Sequence, residues 1–333
     1  MFVFGMTEGP RGFDPLVLLL AALAIEAYVG DLGVLFRFLT HPVAFIGGIV
    51  GRLEKKMNRE KRSQVDRAFR GLALVLVMVA GAGAAGWGVQ WLSQHHTFGW
   101  ILEFMLLVTL LAQRSLYDHV RAVARGLDES LEAGRAAVSH IVGRDPKQLD
   151  EHGVARGAIE SLAENFGDGI VAPVFWYVLF GFPGLLIYKT VNTMDSMIGH
   201  RTERYRAFGM VAARLDDALN FIPARLSAIF IALAALFAPK ANPWNAVRTM
   251  LRFASKHRSF NAGWPEGAMA GALGVALAGP RRYTEYTVND PWIGDGTAKA
   301  SVAHIERALY IYVVACLIDA LAVAAVAVLR FAL

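Results

Sequence analysis

Between residues 160 and 225 the chain gathers Glu160, Glu164, Asn165, Asp168, Asn192, Asp195, His200, Arg201, Arg214, Asp216, Asp217, Asn220 and Arg225. Each lies beside or between hydrophobic runs. Ionisable side chains next to hydrocarbon are costly, so this concentration calls for a function. The residue types suit a polyanion. Carboxylates and amides would hold it through divalent cations, and arginines would take the remaining phosphate oxygens.

Glu160, Glu164 and Asp168 are spaced i, i+4, i+8 and on a helix form one acidic stripe. Carboxylates repel at that spacing; a bound cation would offset the repulsion, and Asn165 could add a neutral oxygen. Farther on, Asn192-Thr193-Met194-Asp195-Ser196 precedes Gly199-His200-Arg201. There Asp195 reads as a further ligand, with Lys189 and Arg201 meeting phosphates. The third element is Arg214-Leu215-Asp216-Asp217-Ala218-Leu219-Asn220, followed by Arg225. Adjacent aspartates face different ways on a helix, so one is expected to bind metal and the other to orient a basic partner. The Asp217–Asn220 spacing returns to one face.

The elements that position these groups are apolar. The chain is 55% hydrophobic, with a mean hydropathy of +0.41 and 18% charged residues. Soluble domains carry about 25% charge, so the composition is that of a polytopic membrane protein. Runs at 15–36, 71–92, 100–116, 170–188, 219–238 and 305–329 are long enough to cross or nearly so. The first run lacks a cleavage-site pattern and is expected to be retained. The lone Cys316 reads as a buried structural thiol. Net charge +5 and pI near 9.4 follow from basic loops without interleaved aromatics, which argues against nucleic acid.

Residues 52–70 hold eight Lys/Arg against three acids and read as a solvated amphipathic helix on the membrane surface. Residues 117–160 read as surface helix with turns. A full crossing at 170–188 would place Lys189, Arg201, Arg204, Arg206 and Arg214 outside, against the charge rule. Gly181-Phe182-Pro183-Gly184 is poor helix chemistry, so a re-entrant hairpin is preferred there. The Gly/Ala-rich run 267–279 reads as a returning arm for 219–238. His41-Pro42-Val43, Trp264-Pro265-Glu266-Gly267 and Gly294-Asp295-Gly296 are smaller polar marks. The expected fold is an all-α polytopic integral membrane bundle with re-entrant and amphipathic segments. It is read as a single membrane-embedded domain over 1–333, with its polar catalytic region at 140–225.

Taken together, several segments resemble the cobalamin-biosynthesis membrane family of adenosylcobinamide-phosphate synthases. They are His41-Pro42-Val43, Val142-Gly143-Arg144-Asp145, Glu160 through Gly169, Tyr188 through Gly199, and Ala213 through Leu226. Trp264 through Tyr283 and Ile305 through Leu309 extend the similarity in the same order. One departure is His200-Arg201, where relatives often carry Tyr-like or Lys-bearing residues.

The resemblance implies ATP-dependent amide formation between the propionate carboxylate of adenosylcobyric acid and an aminoalcohol phosphate, either 1-amino-2-propanol phosphate or ethanolamine phosphate. It implies ATP and Mg²⁺, a corrinoid substrate, and a multi-pass protein of the cell (inner) membrane with a cytoplasmic catalytic face. Self-association or contact with other enzymes of the pathway is compatible with it. On that basis Glu160, Glu164, Asp168 and Asp195 are expected at Mg²⁺, with Glu164, Asp168, Asp216 and Asp217 catalytic. Arg144, Lys189, Asn192, Arg201, Arg214, Asn220 and Arg225 are expected at substrate and phosphate. No P-loop or Gly-rich nucleotide motif is present, so the ATP and corrin sites rest on the resemblance alone. Two other classes share the acid pattern: a prenyltransferase-like enzyme on a Mg-diphosphate lipid, and an ion-coupled transporter.

Overall fold

Side-chain acceptors followed by proline set where several helices begin. Asp14 accepts from the amides of Leu16 (2.8 Å) and Val17 (3.2 Å) and opens α1 (Pro15–Val29). His41 Nδ1 accepts from Val43 at 3.2 Å and opens α2 (Pro42–Met57), so the His41-Pro42-Val43 mark is a helix start. Ser63 caps α3 (Gln64–His95), which is followed by α4 (Gly99–Leu110) and α5 (Gln113–Glu129). Ser130 caps α6 (Leu131–Val138) and Asp150 caps α7 (Glu151–Phe166). A π-turn, Gly167–Val171, leads into α8 (Ala172–Ile198). Then come α9 (Met210–Leu219), α10 (Phe221–Ala234), α11 (Pro243–Phe253) and α12 (Gly263–Leu273). Strands β1 (Leu277–Arg282) and β2 (Thr287–Ile293) precede α13 (Val302–Ala332). This computed structural model describes residues 13–30, 40–59, 61–143, 146–282 and 287–332. Residues 31–36 of the first expected span, Arg144, Asp145 and Tyr283 lie outside the described residues.

The chain divides into two compact units. The first comprises Met1–Ala112, Ala172–Asn220 and Val323–Leu333. Its core joins Leu74, Val75 and Met78 of α3 to Val191, Met194 and Ile198 of α8, with Ile46 and Val50 from α2 and Ala212 from α9. Backbones meet where α3 carries glycine: a Cβ on Gly86 would fall 2.6 Å from Pro183 Cα. Lipid tails are as apolar as leucine, so close packing of this kind holds membrane helices together where burial alone does not.

Helix α8 breaks at Gly181, whose φ is +67°. Residues eight apart in a straight helix are about 12 Å apart. Yet a Cβ on Gly184 would lie 2.5 Å from the Trp176 carbonyl oxygen, so the chain folds back here. This is the irregular turn expected at 181–184. A Cβ on Gly181 would also collide with Gln90 Oε1. Gly181→Ala should therefore cost about 1–3 kcal/mol, read as a lowered Tm in detergent. Gly88→Ala, with nothing within 4 Å, should leave Tm unchanged or raised.

The second unit comprises Gln113–Val171 and Phe221–Ala322. At its centre lies α7, whose Val154, Ala155, Ala158, Ile159, Leu162 and Ala163 are wholly buried. This corrects the surface reading of 117–160. The buried face of α7 mixes alanine and glycine with Val154, Ile159, Leu162 and Phe166, which keeps its hydropathy modest while allowing close packing by α5, α6, α12 and β1. Helix α12 packs on α10 and α11 and ends at Gly274 in the left-handed region (φ +69°). The run 267–279 is thus the end of this helix plus the start of β1. The antiparallel hairpin β1–β2, with Leu277 and Ile293 buried, was not anticipated by a helical reading. From α13, Tyr312 packs edge-on to Phe166 and donates its hydroxyl to the Gln113 carbonyl at 2.7 Å.

Among the described residues four helical stretches are long and apolar enough to cross a membrane: Gln64–His95, Gly99–Glu129, Glu151–Ile198 and Val302–Ala332. Helices α9 and α10, bent by 45°, make a fifth if counted as one span. Most of the described residues are helical, as expected of a polytopic bundle.

Candidate functional site

In the first unit the polar groups converge where the end of α8 meets α9. Asp216 is buried (8% exposed), and both its oxygens are engaged. Asn192 Nδ2 donates to Oδ1 at 3.3 Å and Asn220 Nδ2 donates to Oδ2 at 3.0 Å. The Tyr188 hydroxyl, fully buried, donates to Asn220 Oδ1 at 2.9 Å. Sequence spacing paired Asn220 with Asp217, but the structure pairs it with Asp216. Both spacings share a helix face, and Tyr188 decides between them by fixing the Asn220 oxygen.

Around this chain stand less buried groups. Asp195 lies within electrostatic reach of Asp216, Asp217 and His200. A Cβ on Gly199 would collide with Asp195 Oδ1, so only glycine lets the following loop pass this carboxylate. Asp217 faces Arg214 at 4.0 Å, with the arginine side chain 78% exposed, a pairing that contributes little to stability. His200 and Arg201 are exposed on the loop 199–209, and Lys189 is half-buried.

That loop is anchored by residues the sequence reading placed in a solvated connector. The expected single helix at 52–70 is instead the end of α2, a break, and the start of α3. Glu54, Asn58 and Arg67 are each at most 4% exposed. Arg67 Nε donates to Asn58 Oδ1 at 2.8 Å, and its guanidinium also donates to the Glu203 and Arg204 carbonyls. Asn58 Nδ2 donates to Glu54 Oε1 at 2.9 Å and to the Arg204 carbonyl at 3.0 Å. Arg204 returns to Glu54 through two hydrogen bonds of 3.1 Å. The hydrogen bond to Glu54, and then its charge, raise the pKa of the Arg204 guanidinium above its ordinary value. Charge density concealed these residues, because eight basic groups in one segment read as surface.

In the second unit the expected acidic stripe is divided. Glu160 is buried and accepts the Ala278 amide of β1 at 2.9 Å, which gives it a structural task. Glu164 is exposed, and Asp168 sits half-buried in the π-turn, whose wider turn takes it off the α-helical stripe. Ser161 donates to the Ile141 carbonyl at 2.8 Å, which ties the start of the Val142-Gly143 segment to α7. Asn165 Nδ2 turns back to the Ser161 carbonyl at 2.9 Å.

Arg225 is caged. Its guanidinium lies 3.7 Å from the Phe221 ring centroid, 4.7 Å from Trp264 and 5.1 Å from Phe260, and it donates to Asn261 Oδ1 at 3.3 Å. The Trp264-Pro265-Glu266 mark therefore supplies a wall of this cage, a role the sequence did not reveal. Glu266, buried, in turn lies 3.5 Å from the half-buried His257. The π-turn packs on α10 two residues past Arg225, where a Cβ on Gly167 would lie 3.3 Å from Ser227 Oγ.

Among the described residues no three His, Cys, Asp or Glu side chains are grouped to hold a metal ion. Glu160, Glu164 and Asp168, all of the second unit, are accordingly not grouped as such a centre. A Mg²⁺ carried on substrate phosphates would need only one or two carboxylates, which Asp195 and Asp217, near enough to feel each other's charge, would supply.

Comparison with known proteins places the chain. Residues 19–312 match the family model described as CobD/Cbib protein. The Cobalamin biosynthesis protein CobD of Sinorhizobium sp is 47% identical over 94% of this chain and 98% of its own length. A protein of the same name from Rhodobacter capsulatus is 45% identical over 89% of this chain and 92% of its own. No solved structure matches. With the match spanning α1 to α13 and both polar constellations, the chain belongs to the CobD/CbiB family.

Proposed function

We propose that this protein acts in cobalamin biosynthesis as an amide-forming ligase, making adenosylcobinamide phosphate from adenosylcobyric acid and an aminoalcohol phosphate with ATP. Family membership supports the pathway. The observation that carries the chemistry is the buried Asp216 held by Asn192 and Asn220 beside the Asp195–Asp217 pair. It is a preorganised polar site of the kind that stabilises developing charge in phosphoryl transfer.

A carboxylate is a poor acyl donor. Phosphorylation by ATP turns its oxygen into a leaving group, and ADP departs. The amine then attacks the acyl carbon, the C–O bond to phosphate breaks, and inorganic phosphate leaves. The ammonium must lose one proton to attack and a second as the amide forms, and a carboxylate is the group to accept the first.

Asp195 and Asp217 are assigned to Mg²⁺, which when bound would neutralise phosphate charge. Lys189, Arg201 and Arg214 are assigned to phosphate oxygens. Asp216 is assigned to hold the Asn192 amide toward substrate. Glu164 and Asp168 are assigned to the ammonium of the amine substrate, and Arg225 to its phosphate.

Because Arg225 offers a planar fork already braced by rings, Arg225→Lys should raise KM for the aminoalcohol phosphate roughly tenfold or more while changing kcat less. Steady-state kinetics with each substrate varied in turn would check this. The reading itself is tested by supplying purified protein in vesicles with adenosylcobyric acid, aminopropanol phosphate and Mg-ATP. Adenosylcobinamide phosphate should form only when all three are present. Product formed without ATP, or none with all three, would overturn it.

A further inference from the structure

Outside both constellations, the second unit has a cleft of about 400 Å³ between α5 and α13. Tyr117, Arg121, Arg125 and Asp128 line it from successive turns of α5, with Glu306 and Tyr310 opposite on α13. The four charged side chains are exposed, and among the described residues none of them is ion-paired. Arg121 lies 5.8 Å from the Tyr117 ring centroid.

Two guanidinium groups and two carboxylates lining one cleft select against simple ions. A bare anion would meet Asp128 and Glu306, and a bare cation would meet the arginines. A ligand carrying both a phosphate and a primary ammonium satisfies all four: the arginine forks take the phosphate and the carboxylates accept the ammonium protons. A quaternary ammonium has no proton to give and would instead need an aromatic cage.

The cleft also opens onto an apolar track. Tyr310, Val313, Leu317 and Leu321 step by three or four residues along one side of α13 and are 47%, 44%, 60% and 67% exposed. From Tyr310 to Leu321 is eleven residues, about 16 Å of helix, close to the roughly 15 Å of one bilayer leaflet. Tyr117 and Tyr310 at its head are residues favoured at the membrane–water boundary.

We propose that this cleft is a binding site for a phospholipid with a phosphoethanolamine headgroup, its acyl chains lying on the Val313–Leu321 track. The bound lipid fastens α5 against the N-terminal end of α13. This holds independently of the reaction assigned above.

The test uses the full-length protein, delipidated in detergent and then given phosphatidylethanolamine, phosphatidylglycerol or phosphatidylcholine of matched acyl chains. Lipid retention is read by native mass spectrometry. Phosphatidylethanolamine should be retained roughly tenfold or more over the other two, the scale of one charge-assisted hydrogen bond. The double variant Arg121→Ala/Arg125→Ala should lose retention of all three. Asp128→Asn/Glu306→Gln should shift the preference to phosphatidylglycerol.

Equal retention of the three lipids by the unmodified protein would overturn the proposal. So would unchanged retention in the arginine variant, or displacement of the lipid by soluble ethanolamine phosphate at equal concentration. If a variant fails to fold, the preference of the unmodified protein decides alone.

Discussion

Asp195→Asn is expected to lower adenosylcobinamide phosphate formation by about 10²–10³-fold, the usual scale for removing one preorganised electrostatic group. Asparagine keeps the shape, so the close pass of Gly199 over this side chain survives. What disappears is one negative charge among Asp195, Asp216 and Asp217, which repel one another. Stability should therefore hold or rise as activity falls. A structural aspartate would give the opposite result, because its loss weakens the fold first. Turnover and thermal unfolding measured on the same preparation separate the two. Wild-type turnover in the variant would remove Asp195 from the reaction.

Arg67→Ala should be the most damaging change outside the acidic stretch. It strips the donor from Asn58 Oδ1 and from the Glu203 carbonyl, and leaves the Arg204 carbonyl with Asn58 alone. Leaving buried acceptors unmatched should cost about 3 kcal/mol. The consequence for function follows the loop: with residue 203 released and 204 held only by Asn58 and Glu54, His200 and Arg201 are fixed less firmly. KM for the phosphorylated substrate should rise more than kcat falls. Arg67→Lys should not restore it, since one ammonium cannot reach all three acceptors with the geometry of a fork. Urea unfolding and steady-state kinetics would measure the two effects.

The acidic stretch was legible in the sequence because its residue types stand out against hydrocarbon, and the break at Gly181–Gly184 because glycine and proline are conspicuous inside an apolar run. Other features were hidden for physical reasons. The burial of α7 rests in good part on alanine and glycine, whose value lies in close approach rather than hydropathy. Glu160 shares its spacing with Glu164 and Asp168, yet is turned to a strand 118 residues away in the chain. The choice of Asp216 over Asp217 depends on Tyr188, a tertiary contact no periodicity records. Glu54, Asn58 and Arg67 look like surface charge until the carbonyls of residues 203 and 204 are found against them.

The sharpest measurement follows one oxygen atom. Adenosylcobyric acid labelled with ¹⁸O in its propionate carboxylate, turned over with aminopropanol phosphate and Mg-ATP, should deliver labelled oxygen to inorganic phosphate with ADP as co-product. Label in AMP, or inorganic phosphate without label, would contradict activation of the carboxylate by phosphorylation.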